Sequence, residues 1–148
     1  MTETVATLLE REASTTIEDW FRTVELDSKL AAIVLTPEQR YGHLPQMFRD
    51  IIDRLRTALP LGSTALLSAA AAEHGRSRRR LGYTAAMMVE ESRILQVSIF
   101  HTLQKNNDAI DFTVLLSQVM TIADEVDSQL RQAMECYVEE SREDSLPA

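Results

Sequence analysis

Glu73-His74-Gly75-Arg76-Ser77-Arg78-Arg79-Arg80-Leu81-Gly82-Tyr83, with Glu91 eight residues further on, is the stretch whose reading decides this chain. Stepping back from Leu81 by three and four residues gives Arg78, His74, Ala71 and Leu67, so a histidine and an arginine share a helical stripe with aliphatic residues. Glu91 repeats the pattern on the next segment, between Met88 and Leu95, with Ile99 continuing the face. Buried charge is costly unless it is paired and hydrogen-bonded. Three ionisable groups on two inward stripes therefore predict a buried cluster of His74, Arg78 and Glu91.

Gly82 is placed for a left-handed stop to the first of these helices, and Tyr83 and Met88 are spaced for a hydrophobic staple on a second helix starting at Thr84. An antiparallel hairpin about Gly82 would set His74 level with Glu90 and Glu91. Upstream, Pro60-Leu61-Gly62-Ser63 reads as a turn, with Ser63 as the cap of a helix reaching Leu81. Thr36-Pro37-Glu38-Gln39 carries a capping-box signature, followed by a corner at Gly42-His43-Leu44 and a helix from Pro45 to about Leu59 with Met47, Ile51, Ile52, Leu55 and Leu59 inward. The first helix is expected from about Thr4 to Glu25, with a kink or break at Ser14-Thr15-Thr16.

The last helix, from about Ile110 to Ser141, repeats apolar residues every seven positions. Phe112, Val119, Val126 and Ala133 form one series, and Leu116, Ala123, Leu130 and Tyr137 the other. About thirty residues span roughly 45 Å, more than one compact domain of this size needs, so part of the helix is expected to project or to pair with a second chain as a dimer and signalling helix. The acidic stretch 139–148 is expected to fray.

Composition agrees with an all-α fold. Only four Gly and four Pro occur in 148 residues, 45% of which are hydrophobic. This length suits one domain, residues 1–148, able to bury a core without metal or disulfide staples. A net charge of −8 argues against general nucleic-acid binding, which needs a basic face; Arg76 and Arg78 to Arg80 are a local exception. Cys136 is alone, so no intramolecular disulfide or cysteine metal knuckle can form. The charged N-terminus lacks a signal-peptide core, and no apolar run reaches membrane-spanning length. A soluble, cytoplasmic protein is expected.

The residues His74-Gly75, Arg78, Gly82-Tyr83, Glu91, Arg93 and Leu95, with Trp20, the Thr36–Gln39 helix start and Leu44-Pro45 upstream, resemble the RsbRD-type N-terminal domain of RsbT co-antagonists in the bacterial stressosome. Similar domains precede some sensor histidine kinases. The resemblance implies a helical input domain that dimerises and passes a signal to a C-terminal output domain. It also implies a globin-like bundle that holds no haem. Ser92 stands where the family pattern has an aromatic residue. The sequence ends at Ala148 without an output domain, so the expectation is either a fragment of a larger kinase or stressosome protein, or a chain acting through a separate signalling partner.

The cluster has two chemical readings. A histidine beside a carboxylate can sense protons or a ligand, whereas a buried polar clamp merely fixes the angle between two helices. A histidine phosphotransfer protein with His74 as phosphoacceptor is the alternative class, and it requires that imidazole to be exposed. A small-ligand-binding helical domain is a third. His43, His74 and His101 are not spaced as metal or haem ligands, so no cofactor is expected. Met87, Met88, Met120 and Met134 read as core fillers, and Arg76, Arg79 and Arg80 as solvated residues complementing a helix dipole. No nucleophile-base pair and no phosphate loop is present, so catalysis is not expected.

Overall fold

The computed structural model of the protein describes residues 2–145. They form an all-α domain of eight helices: α1 (Val5–Arg11), α2 (Ala13–Leu26), α3 (Ser28–Ala31), α4 (Pro37–Tyr41), α5 (Leu44–Leu55), α6 (Ala69–Arg80), α7 (Ala85–Lys105) and α8 (Phe112–Ser145). A 3-10 turn at Asn107–Ala109 precedes α8. Among the described residues the only β-type pairing is an isolated bridge between Glu3 and Ile110.

The expected first helix is two. The break falls at Glu12, before Ser14-Thr15-Thr16. Thr16 stays helical with its hydroxyl satisfied twice, locally by the Glu12 carbonyl at 2.8 Å and across to α7 by the Thr102 hydroxyl at 2.6 Å. At α4 the Thr36 hydroxyl accepts from Gln39 N while Gln39 reaches back to Thr36 N, which is the reciprocal capping box. Gly42 follows at a φ of 50°, a left-handed corner that glycine adopts without a Cβ penalty. α5 then ends at Leu55 instead of Leu59. The buried Arg54 guanidinium collects the carbonyls of Thr57, Leu59 and Pro60, which holds that stretch out of the helix.

α6 also starts later than the sequence suggests. Ser63 does not cap it; its hydroxyl accepts from Ala65 N, and Leu67 is exposed ahead of the helix. The cap is Ser68, whose hydroxyl accepts from Ala71 N and donates to Asp50, while its amide donates to Gln132 Oε1 at 2.7 Å. These partners come from α5 and α8, so tertiary structure chooses between the two serines. Gly82 terminates the turn after α6 at a φ of 96°, and Thr84 caps α7.

The core gathers Leu8, Leu9, Trp20, Val24, Leu30, Leu44, Phe48, Ile51, Tyr83, Ile99 and Ile122. α2 packs on α7, α5 on α1 and α8, and α6 chiefly along α8. That last pairing corrects the expected α6–α7 hairpin. The glycine at 75 explains it: a Cβ built there would stand 1.9 Å from the Ala133 carbonyl oxygen, so the two backbones touch where any side chain would keep them apart. α6 and α7 meet instead through long polar side chains.

Candidate regulatory site

His74 and Arg78 lie one turn apart on the inner face of α6, and Glu91 faces them from α7. The imidazole Nε2 stands 2.5 Å from Glu91 Oε1, and Arg78 Nε donates to Glu91 Oε2 at 3.1 Å and Oε1 at 3.3 Å. Exposure is 5%, 1% and 3% for His74, Arg78 and Glu91, so the carboxylate has exchanged its water for two side chains. Burial alone would raise the Glu91 carboxyl. The charge and hydrogen bond of His74, followed by those of Arg78, outweigh it and hold the group at about 2.

Each of the other two Arg78 nitrogens is engaged. They donate to the carbonyls of Gln39 at 2.7 Å and Arg40 at 2.5 Å, and Cζ lies 4.9 Å from the Tyr83 ring centre. Arg78 therefore satisfies orphan carbonyls at the end of α4 while neutralising a carboxylate on α7. Arg40, equally buried, donates to Glu25, the Tyr83 hydroxyl and the carbonyls of Leu30 and Ile33. Burial raises the Tyr83 hydroxyl, and the charge of Glu91 adds to it. Trp20 Nε1 donates to the Glu91 carbonyl, and the Tyr137 hydroxyl to the Tyr83 carbonyl, which extends the network to α2 and α8. Arg40 and the backbone-capping role of Arg78 left no periodic signal, because α4 is too short to show a face.

His74 Nδ1 and His43 Nδ1 are buried without a hydrogen-bond partner, and the two rings stand edge to face at 6.2 Å. Burial, then the nearby charge of His74, lowers the His43 imidazole, which favours its neutral form. A phosphoacceptor imidazole must reach solvent and a partner's active site. His74 is enclosed with Nε2 committed to Glu91, which removes the structural requirement of the phosphotransfer reading. Among the described residues no group of three or more histidines, cysteines or carboxylates is placed to hold a metal, and no helix is long and apolar enough to cross a membrane.

Arg80 is exposed and Arg76 and Arg79 are partly so, as expected, but each also reaches across to α8. Arg76 approaches Glu139 at 3.8 Å as well as Glu73, Arg79 donates to the Ser141 hydroxyl at 2.6 Å and stands over the Tyr137 ring, and Arg80 Nε pairs with Glu140 at 2.9 Å. These contacts clasp the end of α6 to the far end of α8. The segment expected to fray from 139 is accordingly helical to Ser145, with Glu140 buried; residues 146–148 lie outside the described residues.

The eight heptad positions of α8 do not share one environment. Phe112 and Leu116 are exposed at 67% and 72%, Val119 and Ala123 are half-buried, and Val126 and Ala133 are buried in the chain's own core beside the half-buried Leu130 and Tyr137. A seven-residue repeat drifts by about 20° per heptad around a straight helix, so a sequence stripe four heptads long turns from solvent into the core. Met120, expected inside, is also exposed, whereas Met88 is buried.

The RsbT co-antagonist protein rsbRD N-terminal domain matches residues 14–146, which takes in every helix of the cluster and the clasp. The chain belongs to that family. No curated protein and no solved structure matches it. The RsbRD N-terminal family is a stressosome and signal-transduction domain, which supports a regulatory role.

Proposed function

We propose that this RsbRD-type domain is a non-catalytic, cytoplasmic input module that converts a change at the buried polar cluster into a change in the position of α8, and that it works as a homodimer upstream of a separate output domain or signalling partner. The observation that carries the reading is the double engagement of α6. Its inner face holds His74 and Arg78 against Glu91, its middle touches α8 backbone to backbone at Gly75 and Ala133, and its end clasps Glu139, Glu140 and Ser141. A rotation of α6 that relaxed the cluster would swing the clasp about the Gly75 contact. Packed helices answer such strain by stepping between discrete arrangements rather than by bending continuously.

Dimerisation is supported by the exposed beginning of the heptad series and not by its buried continuation. Phe112 and Leu116, joined by Met120, recur every four residues on one exposed face at the start of α8, a stripe that a second copy could meet symmetrically.

Hydrogen exchange on the whole chain tests the transmission. His74→Leu removes one bond to Glu91 and leaves the Arg78 pair in place. Faster exchange is expected at residues 133–143 of α8, at least tenfold. Exchange altered only in α6 and α7 would overturn the proposed coupling.

A further inference from the structure

A small cavity of about 20 Å³ adjoins the cluster between α5, α6, α7 and α8, with Met47, Met88, His74, Glu91, Gln129 and Ala133 on its walls. Gln129 is 1% exposed. Its Nε2 donates to the Met47 carbonyl at 3.0 Å and to Glu125 Oε2 at 3.2 Å. Both partners are acceptors, so the amide cannot be turned the other way round. Its Oε1 is therefore fixed as a buried acceptor, and it has no hydrogen-bond partner in the protein. A buried acceptor left unmet is unfavourable, and none of the other polar residues of the wall, His74, Glu91 and Ser92, donates to it; the remaining wall is sulfur and hydrocarbon.

We propose that the cavity is a binding site for one neutral hydroxyl group, supplied by water or by a very small alcohol, which donates to Gln129 Oε1. Charge decides against ions. An anion would face Glu91 on the wall and Glu125 on the same amide, while a cation would find the Glu91 carboxylate already engaged by His74 and Arg78. A purely apolar guest would leave Oε1 unpaired. Size sets the upper limit: about 10–15 Å³ of such space holds one water, so the volume admits one or two non-hydrogen atoms, and the two methionines give the walls some adaptability. The regulatory meaning of the site rests on the function proposed above, since an occupant would touch both the cluster and α8.

The test is nuclear Overhauser spectroscopy on the full chain with labelled Ala133, Met47 and Met88 methyl groups, in water and on titration with methanol. Fluoromethane, which has the same two non-hydrogen atoms as methanol and no donor, is the matched control. Slowly exchanging water cross-peaks at these methyls assign the hydroxyl to water; their replacement by methanol cross-peaks, with no response to fluoromethane, assigns it to an alcohol. Either outcome supports the site. Gln129→Met, with folding checked by circular dichroism, is expected to weaken the cross-peaks at least fivefold. Absence of both kinds of cross-peak in the unsubstituted chain, an equal response to fluoromethane, or undiminished cross-peaks in a folded Gln129→Met chain would overturn the proposal. This readout reports occupancy directly, so it stands or falls separately from the exchange experiment on α8.

Discussion

Glu91 illustrates how a residue can be both expensive and indispensable. Burial opposes its charge, yet His74 and Arg78 hold it ionised far below the ordinary value of 4.5, at about 2. A carboxyl depressed in the folded state contributes stability that is fully present above its unfolded pKa and is lost as pH falls through the folded one. The window here is therefore about pH 4.5 down to about 2. Thermal melts across that range are expected to lose on the order of 3 kcal/mol in the native sequence. Glu91→Gln removes this titration, so its much lower stability should fall less steeply across the same window, leaving only the contribution of the other depressed carboxyls, Asp19, Glu90, Asp111 and Glu140. A Gln variant with the same acid dependence would assign the loss to other carboxylates. At neutral pH the substitution is expected to cost about 3–5 kcal/mol, because Arg78 is left buried without its counterion.

The same scale shows what periodicity can reveal. His74, Arg78 and Glu91 stood out because unlike polar groups occupied stripes that were otherwise aliphatic, and the structure brings the three into contact. Arg40 and Gln129 are buried just as deeply but left no such mark. Arg40 sits on a five-residue helix, and Gln129 shares its region of α8 with a polar pattern that fits an exposed face equally well. Their roles depend on carbonyls of distant elements, which no local pattern encodes.

At the level of elements, α6 is held by what it lacks. Its helix-destabilising glycine lies in the middle of an otherwise regular helix, where glycine is about 1 kcal/mol worse than alanine. Intrinsic propensity thus favours Gly75→Ala, but the added methyl would collide with the Ala133 carbonyl at 1.9 Å, and backbone cannot step aside as a flexible side chain can. The collision wins. Gly75→Ala is expected to destabilise by about 3 kcal/mol, read as a lower urea midpoint. An unchanged or raised midpoint would show that α6 and α8 can separate freely and that the close crossing does not organise the fold.

Helix starts were legible where the capping chemistry is local and not where it is shared. Thr36 and Thr84 cap helices through bonds within four residues, and both starts can be read from the sequence. Ser63 and Ser68 are equivalent as sequence signals. Asp50 and Gln132, brought in by α5 and α8, select Ser68. The early end of α5 has the same kind of cause, since Arg54 draws carbonyls out of the helix and also reaches Asp124 at 3.7 Å.

For the molecule as a whole, α8 is the element that all proposals share. At 34 residues it spans roughly 50 Å, beginning with an exposed apolar stripe and ending in the clasp with α6. If that stripe is the dimer surface, Leu116→Glu places two like charges near one another in a symmetric pair and should weaken association at least tenfold without altering the helical signal. Sedimentation velocity over a concentration series measures this. A monomer at every concentration in the unsubstituted chain, or a dimer indifferent to Leu116→Glu, would remove assembly from the proposal and leave α8 to act within one chain.

The sequence by itself determined that this is an all-α domain, that a left-handed stop at Gly82 separates two long helices, and which three ionisable residues occupy inward stripes. Those features follow from periodicity, capping and glycine geometry, which act over a few neighbouring residues. Only the tertiary structure decided that α6 lies along α8 rather than folding against α7, that the arginines clasp the last turns of α8, and that the heptad stripe passes from solvent into the core. Each of these depends on close approach between residues some sixty positions apart, and on the slow rotation of a seven-residue pattern around a straight helix.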